Sequence, residues 1–204
     1  MKKNTKIASR FSVAAAVAAV VLSPVVASAA TANTTINVTL APVISMTTGS
    51  PVAISVTPTS GGSMSSISDT VTVTTTDSAG YTLTLADTDA STVLTSGANT
   101  ITADAGTQAA PSTSLTNNRW GYRVDGVGGF GAGPTSAETN IASSAYKWAG
   151  VPVSGSPNTL KITAVAATSG DPTTVWYGVK ADTTKPSSSG TPYSDIVTYT
   201  ATAN

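Results

Sequence analysis

The chain has 204 residues, a formal net charge of zero, no cysteine and no histidine. Without these two residue types it has no Ser-His-Asp or Cys-His catalytic site, no zinc site built on them and no disulfide. Only 10% of its residues are charged, and the basic residues beyond the N-terminus are scattered singly. This pattern lacks the basic patch that nucleic acids need.

Residues 1–29 have the pattern of a secretory signal peptide. The basic region Lys2–Arg10 is followed by the apolar run "FSVAAAVAAVVLSPVV", and Ala27-Ser28-Ala29 then fits the A-x-A cleavage pattern. The apolar run is shorter than the ~20 residues of a membrane span, and Pro24 interrupts it. We therefore expect a secreted, cell-surface protein that begins at Ala30 and has no integral membrane segment.

Beyond the signal peptide, apolar and polar residues alternate with the period of two that predicts β-strands. A first strand is predicted within residues 30–45, with Ile36, Val38 and Leu40 on one face. A second is predicted within 51–58, where valine and isoleucine again alternate with polar or small residues.

Residues 69–87 predict a β-hairpin. Two alternating runs flank the turn "DSAG", in which Asp77 and Gly80 suit a type I turn closed by a residue with positive φ. Further strands are predicted in "RWGYRVD", "TLKITAVA", "TTVWYGVKAD" and "DIVTYTATA". About eight or nine short strands separated by Pro, Gly and Ser clusters predict an all-β fold. We expect an antiparallel immunoglobulin-like β-sandwich, forming a single domain over residues 30–204.

Two segments depart from this alternation. One short helix is predicted within 135–150, and the glycine-rich run 126–133 is expected to form a flexible excursion from the sandwich. Trp120, which shares a strand face with Tyr122, is expected in the core.

The C-terminal block that contains Gly190, Tyr193, Asp195, Val197 and Tyr199 resembles the last strand of fimbrial-subunit and spore-coat-U-like secreted domains. The blocks "NRWGYRVD" and "YKWAGVP" are similar to Thr/Ser-rich bacterial surface proteins, some of them WxL-like. The turn before the last strand and the lack of paired cysteines differ from those families.

The resemblance implies a non-catalytic structural protein, a surface coat or fibre-type subunit. In such fibres an extended segment of one subunit completes the sandwich of the next by β-strand addition. Here Ile36, Val38 and Leu40 would form that assembly strand, and the partner would be a second copy or another surface protein. The alternative is that these residues form an ordinary first strand of their own domain.

A carbohydrate-binding or adhesin function is the alternative to a structural role, with Tyr146, Trp148 and Tyr177 as the stacking aromatics. No cofactor is expected. A weak calcium candidate is the pair Asp87 and Asp89, although a solvated turn explains the same spacing. A hydrolase would need two carboxylates within about 10 Å of each other in a cleft.

Overall fold

The computed structural model describes residues 30–49, 51–186 and 190–204, so the predicted signal peptide lies outside the described residues. The chain divides by its internal contacts into residues 1–39 and 40–204. In the first unit, the described residues 30–39 form neither helix nor strand, and the second unit contains all the strands. No helix capable of crossing a membrane occurs in the part of the chain that the structure describes.

The described residues form nine strands in two sheets. The strands are β1 (Ile44–Thr47), β2 (Ser63–Thr75), β3 (Tyr81–Asp87), β4 (Val93–Ser96), β5 (Asn99–Ala103), β6 (Arg119–Arg123), β7 (Asn158–Ile162), β8 (Ala167–Ala181) and β9 (Val197–Ala203). The large sheet has the order β1-β2-β8-β6-β5-β4, and the small sheet has the order β7-β3-β9. Every pairing is antiparallel except β5 with β6. The predicted all-β sandwich is confirmed.

The main core lies between the two sheets. Alternate residues of β2, β6 and β8 meet alternate residues of β3 and β7 there, and the intervening threonines face outwards. Trp120 and Tyr122 are both buried in this core, as predicted. Burial of this aliphatic and aromatic surface is the main stabilising contribution in a chain without disulfides.

A second, smaller core, here called the outer core, covers the other face of the large sheet. It is built from Met64, Leu115 and Trp148, with Ile141 and Tyr146 packed against it. Residues 135–150, where a helix was predicted, instead form an extended cover, and no helix occurs among the described residues. Backbone bonds in both directions between Met64 and Ile141 hold this cover on β2. The helix prediction was wrong because the apolar residues of this segment pack onto a sheet face and do not form a helical stripe.

The predicted hairpin at residues 69–87 was also wrong. The turn has the expected form: Gly80 N donates to Asp77 O over 3.1 Å, and Gly80 has a φ of 85°. The two strands nevertheless belong to different sheets, since β2 pairs with β1 and β8 while β3 pairs with β7 and β9. The connection is therefore an arch from one layer to the other.

Three further expectations differ from the structure. Within 30–45 only the last residues join a strand, β1. Residues 51–58 form no strand, although Val52, Ile54 and Val56 pack against the main core. The glycine-rich run 126–133, expected to be a flexible excursion, is anchored to the main core by Phe130. This ring is buried edge-on against Tyr122, with 5.5 Å between the ring centroids.

Candidate functional site

The small sheet ends at β9, and β1 of the large sheet lies near this strand without hydrogen-bonding to it. Among the strands that the structure describes, β9 pairs only with β3, through an unbroken register of seven residue pairs. Asn204 N donates to Gly80 O at one end of the ladder, and Thr88 N donates to Ile196 O at the other. The even-numbered residues of this segment therefore bond to β3, and the backbone groups of the odd-numbered residues point away from it.

Edge strands usually avoid unwanted pairing through charge, proline, a bulge or short length. β9 has seven residues and none of these features. The other edge of the small sheet, β7, carries Lys161 and a shift of register against β3. The edges of the large sheet, β1 and β4, are only four residues long. β9 is thus the edge best suited to accept a further strand.

The inward face of β9 is only half buried. Val197 and Tyr199 pack against the rim of the main core, and the hydroxyl groups of Tyr199 and Tyr177 lie 2.7 Å apart, which links the two sheets. Burial raises the pKa of both tyrosines above the ordinary value. Tyr193 lies before the strand, and its hydroxyl donates to Pro186 O over 3.3 Å. The three predicted residues of the C-terminal strand region therefore line one border of the sandwich.

The predicted assembly residues are exposed. Ile36, Val38 and Leu40 leave 82%, 76% and 86% of their surface accessible, and they belong to no strand. In the sequence these three residues alternate with Asn37 and Thr39, and Val43 beyond them is also 64% exposed. Such a run is an aggregation hazard unless another strand covers it.

The three predicted carbohydrate-stacking aromatics form no common surface. Trp148 is fully buried in the outer core, and Tyr177 is buried in the main core on the opposite face of the large sheet. Tyr146 is half buried, and the guanidinium of Arg123 lies over its ring at 4.9 Å. A sugar ring has no open platform on these side chains, because stacking requires an accessible ring face.

The two predicted calcium candidates lie just after β3. Asp87 is buried, and its Oδ1 accepts a hydrogen bond from Asp89 N over 3.0 Å, which makes the local turn. Asp89 is exposed and accepts from Ser91 N over 2.6 Å. Among the described residues no group of three or more acidic side chains is arranged to hold a metal ion, and we do not assign these two as metal ligands.

A third carboxylate, Asp195, reaches this turn from the segment before β9, and it was missed among the calcium candidates. Burial raises its pKa to about 6, and the nearby charges of Asp87 and Asp89 add to the effect. The spacing in the sequence could not reveal this neighbour, since only the pairing of β3 with β9 brings it close.

Two surface depressions of about 350 and 370 Å³ contain one carboxylate each. Asp171 lies in the first and Asp125 in the second. Burial alone would raise the pKa of Asp171, but hydrogen bonds from Lys161 and Tyr81 bring it below the ordinary value. Neither depression offers the paired carboxylates that the hydrolase alternative requires.

Comparison with protein-family models, with curated proteins and with solved structures finds no match to this chain.

Proposed function

We propose that the protein is a non-catalytic extracellular structural protein, a surface coat or fibre-type subunit that assembles by β-strand complementation. Residues Ile36, Val38 and Leu40 of one copy add a strand to the free edge of β9 in the next copy. The signal-peptide pattern and the resemblance of the last strand to fimbrial-subunit domains support the location and the class.

One observation carries the proposal. Among the described residues, the exposed alternating residues Ile36, Val38 and Leu40 have no β-partner, and the uncharged edge strand β9 is hydrogen-bonded to β3 alone. Each of these is a liability alone, and pairing removes both. Backbone bonds to the odd-numbered residues of β9 supply affinity, and the aliphatic side chains cover the half-buried Val197 and Tyr199.

The test is sedimentation velocity on residues 30–204 over a wide range of protein concentrations. We expect oligomers that grow with concentration. Replacing Ile36, Val38 and Leu40 by threonine keeps β-propensity but removes the apolar face, so the variant should remain a monomer. The matched control is Asn37→Ser with Thr39→Ser on the opposite face, which should assemble like the parent.

A second variant tests the acceptor edge. Ala201→Pro removes an N–H that points away from β3, so the ladder with β3 survives and assembly should be lost. Its melting temperature should stay close to that of the parent. A parent protein that is monomeric at every concentration would contradict the proposal, and so would oligomers that persist in the threonine variant.

Export is tested separately. Expression of the full chain in a bacterial host should give a processed protein outside the cytoplasm with Ala30 as its first residue, as read by N-terminal sequencing. Recovery of the unprocessed chain from the cytoplasm would contradict the assignment to the cell surface.

A further inference from the structure

Two carboxyl groups meet where the last segment of the chain enters the small sheet. Asp87 is the final residue of β3 and is paired with Val197, the first residue of β9. Asp195 lies two residues before this pair. The bond from Thr88 N to Ile196 O, 3.0 Å long, holds the two backbones together at this point.

Each carboxyl group has one satisfied oxygen and one unsatisfied oxygen. Asp87 Oδ1 accepts from Asp89 N over 3.0 Å, and Asp195 Oδ1 accepts from Ile196 N over 2.9 Å. The Oδ2 atoms of Asp87 and Asp195 are both buried and have no hydrogen-bond donor in the described structure. The Asp87 residue is only 2% exposed, and the two side chains are within hydrogen-bonding reach of each other. Buried polar atoms normally have a partner, so these two oxygens require one.

We propose that Asp87 and Asp195 share one proton between their Oδ2 atoms in mildly acidic solution, and that this hydrogen bond fastens the start of β9 to the end of β3. Loss of the proton as the pH rises leaves two adjacent buried negative charges and weakens the attachment of β9. The inference does not depend on the proposed assembly function.

Among the described residues, no cation compensates the charge of the pair. Residues 152–154 lie beside the pair and are held there by two backbone hydrogen bonds. Asp87 N donates to Pro152 O, and Ser154 N donates to Asp89 O. β4 packs here through two backbone bonds between Thr95 and Ser194. Neither 152–154 nor β4 nor β9 contains a charged residue. The charges that face Asp195 are those of Asp87 and Asp89, both negative. Two like charges at this separation disfavour full ionisation of the pair.

The direction of the pH effect follows from the proton binding. Burial and the neighbouring carboxylates raise the pKa of Asp195 to about 6, so the folded state binds the proton more tightly than the unfolded chain. The stabilisation is complete below the ordinary aspartate pKa of about 4, declines as the pH rises to about 6 and is absent above it.

The test compares the melting temperatures of the purified protein and its Asp195→Asn variant at pH 4.5 and pH 7.5. An asparagine amide donates permanently to Asp87 Oδ2 without a charge. We therefore expect the variant to melt at least about 3 °C higher than the parent at pH 7.5 and to lose most of this advantage at pH 4.5. The matched control, Asp77→Asn, removes an equal charge from a turn outside the pair and should give no such gain.

A direct readout comes from NMR titration of aspartate side-chain carbons. The Asp195 carboxyl carbon is expected to titrate with a midpoint near pH 6. An Asp195 midpoint near pH 4, the ordinary aspartate value, would overturn the proposal, as would an Asp195→Asn variant that is less stable than the parent at pH 7.5. Stabilisation of the parent by millimolar calcium at pH 7.5, absent in Asp195→Asn, would also overturn it, because a cation would then be the bridge.

Discussion

Gly178 shows how one small residue decides the environment of a large one. It lies within β8, on the face that carries the outer core. A Cβ at this position would lie 2.7 Å from Met64 Cε and 2.9 Å from the ring of Trp148. The missing side chain lets the Trp148 ring approach the backbone of the sheet closely, and its Nε1 donates to Ser144 Oγ over 2.9 Å. The burial of this tryptophan therefore follows from the glycine beneath it.

We expect Gly178→Ala to lower the free energy of unfolding by about 1–3 kcal/mol, because the added methyl group overpacks a filled site. Urea denaturation followed by tryptophan fluorescence measures the change. Gly155→Ala is the matched control, since a Cβ there meets no atom within 4 Å. Equal stability of the two variants would mean that the outer core can accommodate the added methyl group, which would contradict the close packing around Gly178.

At this scale the sequence identifies some residues and not others. Trp120 alternates with polar neighbours in a clear strand pattern, and its place in the core could be predicted. Trp148 lies in a loop, so nothing local distinguishes a buried ring from an exposed one. Asp195 is more than a hundred residues from Asp87, and their contact depends entirely on strand pairing.

At the scale of elements, the arch between β2 and β3 marks the limit of local prediction. Asp77 Oδ1 accepts from Ala79 N over 2.8 Å, and Gly80 takes positive φ, as in many hairpins. The same four residues fit an arch equally well, because the turn geometry does not specify which strand pairs with which. That choice depends on where distant apolar faces are buried. The positions of β6, β7 and β9 could be predicted, but their partners could not.

Gly80→Ala should be strongly destabilising, by about 2–4 kcal/mol, because a Cβ there is forced to positive φ and also strikes the backbone carbonyl of Thr163. Gly97→Ala is the control: it shares the positive φ but meets no atom within 4 Å, so its loss should be only about 1 kcal/mol. Equilibrium urea unfolding separates the two. Similar losses at both positions would mean that the contact with Thr163 is unimportant.

The cover over the outer core shows why the helix prediction failed. Glu138 is buried and accepts from Ser144 Oγ over 2.6 Å and from Ala145 N over 3.0 Å. These bonds hold residues 138–145 of the cover in a non-helical conformation. Side chains such as serine and glutamate thus satisfy backbone groups that a helix would otherwise pair.

At the scale of the whole molecule, polar contacts join the two sheets across the rim of the core. Lys161 of β7 and Asp171 of β8 form an ion pair 2.5 Å long, and the Tyr81 hydroxyl donates to the same aspartate over 2.9 Å. Both charged side chains remain partly exposed, so the pair contributes modestly to stability.

Asp171→Asn should lower the free energy of unfolding by about 1 kcal/mol at pH 7. Hydrogen bonds hold the pKa of Asp171 below the ordinary value, so the stabilisation is present above about pH 4 and is lost as the pH falls through the lower, folded-state pKa. The difference between parent and variant should therefore shrink in acid. Urea unfolding at neutral and strongly acidic pH measures it, and an equal difference at both would contradict the role of the ion pair.

The class of architecture, a sandwich of two β-sheets, could be predicted from the sequence. Period-two alternation with threonine on the outer face predicted two half-buried sheets, which the structure contains. The pairing order, the outer core and the acidic pair required the three-dimensional arrangement. Each of them joins segments far apart in the chain, where sequence patterns carry no information about partners.

The central ladder of the large sheet has a consequence for how the chain reaches its native state. β2 pairs with β8 along nearly its whole length, so the longest ladder closes a loop of about 90–120 residues. Such a high-contact-order topology folds in milliseconds to seconds. During synthesis from the N-terminus, Val71 and Val73 of β2 are exposed long before their partner strand β8 has been made. Nascent molecules should therefore need a holding chaperone until β8 arrives.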